Sequence, residues 1–149
     1  VQKVEKQSAG LPVKLKFTTQ IREGTRKETV AFETVGLYYV KGQSIYLKFQ
    51  EPNEHGEINT IIKIQGDDVL IMRSGVVSMR QTHRKGEWTK GTYRSELGDF
   101  SLDTKTDNVL FNWSDKTKKG QLFVTYTLLL NETEAGRYTI TIHFKEEAK

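Results

Sequence analysis

Apolar and polar side chains alternate along almost the whole chain, and that leaves few folds open to it. Val13, Leu15, Phe17, Thr19 and Ile21 form one such series near the start, and Tyr138, Ile140, Ile142 and Phe144 another near the end. Successive side chains on a strand point to opposite faces, so a period of two means one buried face and one wet face. Turn signals break the pattern at Gly24-Thr25, Lys41-Gly42, Pro52 to Gly56, Gly66 to Asp68, Ser74-Gly75, Lys85-Gly86, Leu97-Gly98, Asp107-Asn108, Asp115 to Gly120 and Asn131 to Gly136. No segment carries a helical period. Consecutive short strands with short links pair as an antiparallel meander.

A long open meander would leave two exposed edges, and closure removes both. The expected fold is therefore all-β: a closed antiparallel meander barrel of about eight to ten strands, a number that leaves room for one small ligand. The 149 residues fit one domain. Residues 1–12 are polar apart from a few positions, hold Gly10 and Pro12, and are expected to form a flexible N-terminal tail. Both prolines, Pro12 and Pro52, are expected outside the strands because proline cannot donate to a ladder. Gly36, inside the long segment from Lys27 to Lys41, is expected to mark a bend or bulge.

Composition narrows the function classes. The absence of cysteine excludes disulfides, thiolate metal sites and a cysteine nucleophile, and suits a cytoplasmic setting. No apolar run approaches the roughly 18 residues of a membrane helix. The net charge of +4 is modest, and the two signs are interspersed. A nucleic-acid partner is not expected on that balance. Apolarity on both faces of Val69 to Met72 leaves an outer face that a second subunit could cover, so a homo-oligomer stays open.

Motifs for chemistry are sparse. His55, His83 and His143 lack the spacing of metal ligands and read as solvent-facing, although a barrel could bring His83 and His143 together. There is no nucleophile elbow, P-loop or dinucleotide fingerprint. No catalytic residue, metal or cofactor is assigned, and the leaning is away from an enzyme. Gly86-Glu87-Trp88 matches the G-x-W of lipocalins but lies past mid-chain instead of on the first strand. The more suggestive set is polar and aromatic: Tyr46, Lys48, Lys63, Arg73 and Tyr93 as ligand-binding residues, with Phe32, Leu47, Phe49, Ile62, Ile71 and Phe100 as an apolar lining.

Tyr46-x-Lys48-Phe49-x-Glu51, Thr60-x-Ile62-Lys63-Ile64, Arg73-x-Gly75, Ser78-Met79, Tyr93-x-Ser95-x-x-Gly98, Thr104 and Tyr126 follow one another in a distinctive order. In that ordered set the chain resembles the YwiB-like family of uncharacterised bacterial proteins, with Ser95 where the pattern has threonine. The resemblance implies a calycin-like barrel, the broad group that includes lipocalins, and it implies no established activity. The leading expectation is a non-enzymatic protein that binds a small anionic or amphipathic molecule inside the barrel. The alternative is a protein-interaction or RNA-associated module acting through a basic outer surface, in keeping with a pI near 9.2.

Overall fold

Alternation defines the strands, and the short glycine-bearing links between them define their order. The computed structural model describes residues 10–148, and these hold ten strands and no helix. The strands are β1 (Leu11–Glu23), β2 (Arg26–Lys41), β3 (Ser44–Glu51), β4 (Ile58–Gln65) and β5 (Asp68–Gly75) in the first half. β6 (Ser78–Arg84), β7 (Trp88–Ser95), β8 (Gly98–Ser114), β9 (Lys119–Leu130) and β10 (Thr133–Glu146) complete the set. Each pairs antiparallel with the next, and β1 also pairs with β10 from Val13↔Glu146 to Arg22↔Arg137. That last pairing closes the barrel and abolishes its edges.

Three local expectations change. The expected tail over residues 1–12 ends earlier, because Leu11 pairs with Tyr38 and Pro12 with Leu37; residues 1–9 lie outside the described residues. Pro12 is therefore inside a strand, near its start, where its carbonyl accepts from the Glu147 N–H at 2.9 Å and the missing donor costs little. The expected break at Asp107-Asn108 is a bulge within one long strand: Thr106 faces Tyr126, Asn108 faces Thr125, and Asp107 is extra. Its carboxylate accepts from Arg137 Nη1 at 2.6 Å. Gly36 does not mark a bulge, since β2 keeps register with β1 through it; it stands where the β2–β3 pairing ends, at Gly36↔Phe49. A Cβ there would collide with the Lys48 carbonyl oxygen, so the glycine permits a close approach of β3.

The inward face is the one the alternation selects. Phe32, Leu47, Phe49, Ile62, Ile71 and Phe100 all point into the barrel. The lumen, however, is not hollow. Leu47, Ile62, Val69, Ile71, Leu122, Val124 and Ile142 are 0% exposed, so no water-sized space touches them. Phe17, Phe32 and Phe49 add a cluster with ring centroids 5.1 to 6.4 Å apart. At the end formed by the start of β1, Tyr38, Trp113, Phe144 and Phe111 form a stacked plug, tightest between Tyr38 and Trp113 at 4.2 Å. Gly120 stands directly opposite Phe144, and only the lack of a Cβ leaves room for that ring. Filling a ten-strand lumen takes side chains of this bulk.

Candidate functional site

Polar groups interrupt this packing along one seam. At the end of the barrel opposite the aromatic plug, β3 finishes at Glu51 and β5 carries Arg73, both facing inward. Arg73 Nε donates to Glu51 Oε2 at 2.6 Å, Thr60 Oγ1 donates to the same oxygen at 2.6 Å, and Arg73 Nη1 lies 3.1 Å from Met79 Sδ. The Arg73 and Glu51 side chains remain 19% and 13% exposed, so this pair sits at the floor of an opening. A thioether is a weak acceptor, which leaves most of the guanidinium's donor capacity unspent. Tyr93 and Phe100, with centroids 6.1 Å apart, and the partly buried Phe32 and Tyr138 flank the same mouth. On the β1–β2–β10 side a cleft of about 290 Å³ is lined by Ile21, Glu23, Arg26, Glu28, Leu130, Ala135 and Tyr138.

Deeper in, the seam follows a gap in the wall. β6 pairs with β7 over only three positions, Ser78 to Arg80. Beyond that point β6 reaches β8 through side chains: Gln81 Nε2 donates to Thr104 Oγ1 at 3.1 Å, and His83 Nδ1 lies 3.0 Å from Thr106 Oγ1. Thr89 Oγ1 donates to the Thr82 carbonyl at 2.5 Å and fastens β7 back to the strand it leaves. His83 is fully buried, and its Nε2 has no hydrogen-bond partner among the described residues. Donation from Nδ1 to Thr106 leaves a bare lone pair at Nε2, which burial tolerates better than an orphaned N–H.

Burial governs the ionisation of this seam. It pushes the His83 imidazole down to about 3, so the ring is neutral in the folded protein. It pushes the Tyr126 phenol up, against the smaller opposing effects of the Arg73 charge and a hydrogen bond with Gln81. Tyr126 stands 4.6 Å from the His83 ring and stacks on Tyr138 at 5.2 Å, joining the deep seam to the mouth. Tyr138 is also raised, by burial first and then by Glu23 and Glu28.

The five residues expected to bind ligand do not form one group. Arg73 and Tyr93 face inward at the mouth. Tyr46, Lys48 and Lys63 stand on the outer wall, because Leu47 and Phe49, which alternate with the first two, are buried, and Lys63 lies between the buried Ile62 and Ile64. Tyr46 stacks on the outward Tyr39 at 5.0 Å, and Lys63 lines an outer cleft with Arg80 and Arg84. The histidine reading also changes. His83 is inside and His143 is exposed on the outer wall, so the sheet separates them. His83 alternates with Gln81 and Met79 in a strand whose inward face is mostly polar, and that camouflage hid it. Glu51, Thr60, Arg73, Met79, Tyr93, Thr104 and Tyr126, all landmarks of the family resemblance, converge on this seam.

These features define an up-and-down ten-strand β-barrel protein with a packed lumen, one plugged end and one polar, partly open mouth. The chain belongs to the family described as Domain of unknown function (DUF1934), whose model matches residues 15–142. It is 29% identical over 134 residues to the "Uncharacterized beta-barrel protein YwiB" of Bacillus subtilis (strain 168), covering 90% of this chain and 93% of that one. The crystal structure of the ywiB protein from Bacillus subtilis superposes with a TM-score of 0.83 at 28% identity, covering 93% of each chain. Among the described residues no helix is long and apolar enough to cross a membrane.

Proposed function

We propose that this protein is a non-enzymatic binding protein of calycin-like build, working in the cytoplasm, that takes a small amphipathic anion at the open mouth of the barrel. Because the lumen is packed, this reading puts the ligand in the vestibule above Arg73 and not in the interior, where the sequence suggests it. The observation that carries the reading is the Arg73 guanidinium itself. It is mostly buried among aromatic and apolar groups, spends one donor on Glu51, and directs another at a sulfur. A carboxylate, sulfonate or phosphate head group satisfies the remaining donors, while Phe32, Phe100 and Tyr138 cover an apolar body.

The test uses 1-anilinonaphthalene-8-sulfonate and octanoate as probes, followed by fluorescence and by thermal shift. The double variant Arg73→Met/Glu51→Gln removes both charges together, so neither is left buried and unpaired. Saturable binding by the natural protein, weakened about tenfold or more in the double variant, supports the reading. Equal binding by both proteins, or no saturable binding of either probe, refutes it.

A further inference from the structure

Closing the barrel brings together four lysines that the sequence keeps far apart. Lys14 pairs with Lys145 across β1 and β10, and Lys145 pairs with Lys119 across β10 and β9, so three ammonium groups share one cross-strand row. In the next outward row Lys16 pairs with His143. All of these side chains point out of the barrel, since Val13, Leu15, Phe17, Ile142 and Phe144 between them are buried. Together with Glu33 they line a cleft of about 460 Å³ on the outer wall. Among the described residues none of the four lysines is in an ion pair.

The fold gives no reason for such a row. Adjacent strands lie about 4.8 Å apart, and like charges directly opposite one another destabilise a sheet. Lysines that guard an open sheet edge against aggregation would be a structural reason, but β1, β9 and β10 all lie inside a closed barrel and have no free edge. Among the described residues these lysines also lack salt bridges like those of Lys90 with Asp103 and Arg84 with Asp68 on other parts of the wall; Lys16 alone stands opposite a carboxylate, Glu33, in the β1–β2 register.

We propose that the β9–β10–β1 wall binds the phosphate backbone of single-stranded nucleic acid. Four ammonium point charges around a concave cleft, with one carboxylate among them, complement a line of phosphates. The two apolar residues at the cleft, Leu15 and Phe144, are buried, so nothing there inserts into a bilayer. The chain's modest overall charge does not oppose this, because the cleft itself holds four lysines against one carboxylate. The proposal is independent of the vestibule reading: it uses a different face and none of the same residues.

Fluorescence anisotropy with labelled oligouridine and oligothymidine of roughly 20 nucleotides tests it. Four contacts on a single strand give an affinity that falls about 50-fold between about 50 mM and about 200 mM salt. Lys14→Gln/Lys145→Gln is expected to weaken binding at least tenfold at the lower salt and to halve the salt dependence. Circular dichroism should show that variant folded, with a melting temperature unchanged or raised because the repulsive row is relieved. Lys48→Gln/Lys63→Gln, which lowers the net charge equally on another part of the wall, is expected to bind like the natural protein. No oligonucleotide binding at the lower salt overturns the proposal. So does equal loss in both double variants, or capture by phosphatidylserine vesicles without binding of either oligonucleotide.

Discussion

Acidification isolates the contribution of one buried side chain, His83. Its imidazole is neutral in the barrel with a pKa of about 3, against an ordinary value of 6.5 for a chain in water. The unfolded state therefore takes up a proton that the folded state refuses. Because the folded value lies below the unfolded one, the stability involved is fully present above pH 6.5 and drains away as the pH falls towards 3. Between about pH 7 and about pH 5 the natural protein should lose about 2 kcal/mol of unfolding free energy, the integral of one proton over that span. For a domain of this size that is roughly 4–8 °C in melting temperature.

His83→Gln keeps a side chain able to hydrogen-bond Thr106 and removes the titration. Its stability at pH 7 falls somewhat through imperfect packing, but its profile from pH 7 to pH 5 should be nearly flat. His55 and His143 are exposed and common to both proteins, so they cancel in the comparison. Urea unfolding monitored by Trp fluorescence at several pH values supplies the measurement. The same acid slope in His83→Gln and the natural protein would show that burial of His83 is not its source.

The aromatic plug is sensitive to one added methyl group. Gly120→Ala places a Cβ against the Phe144 ring, which must leave its stacks with Trp113 and Phe111; we expect about 1–3 kcal/mol of destabilisation and a changed Trp113 emission. Gly24→Ala, at a turn where a Cβ meets nothing, controls for glycine replacement as such, although its positive φ carries a smaller strain of its own. At alkaline pH the buried Tyr126 should stay protonated through the range in which exposed tyrosines ionise. Tyr126→Phe should therefore leave the native 295 nm titration unchanged and lower only the amplitude that appears on unfolding.

Much of the fold is legible in the sequence because a period of two reports the buried face directly. Phe32, Leu47, Phe49, Ile62, Ile71 and Phe100 are inward as alternation requires, and nine of the ten turn signals separate strands. The tenth, Asp107-Asn108, looks like a turn because a bulge also favours residues that tolerate irregular backbone. What alternation cannot report is the content of the lumen. Whether ten strands enclose a cavity or a packed core depends on how side chains from opposite walls meet, which is a long-range property. The divided ligand set has a different source. Tyr46, Lys48 and Lys63 share their chemical type with Arg73 and Tyr93 but alternate with the buried Leu47, Phe49, Ile62 and Ile64, and so face outward.

Polarity inside this barrel serves two separate ends, and the geometry distinguishes them. Gln81, His83, Thr104 and Thr106 lie where the β6–β7 ladder stops, and their hydrogen bonds run between β6 and β8, across the gap. They replace backbone bonds that the splayed strand cannot make, so their role is structural. Thr60 and Arg73 have ladder partners on both sides, Thr60 facing Phe49 and Arg73, and Arg73 facing Thr60 and Met79, whereas Glu51 pairs with Ile58 alone because the β2–β3 pairing ends at Gly36↔Phe49. No missing backbone bond accounts for Thr60 or Arg73, and the Arg73–Glu51 ion pair contributes little net stability over apolar residues of similar size. A partly exposed ion pair that the architecture does not need, placed at the one unplugged end, is the arrangement expected of a binding site.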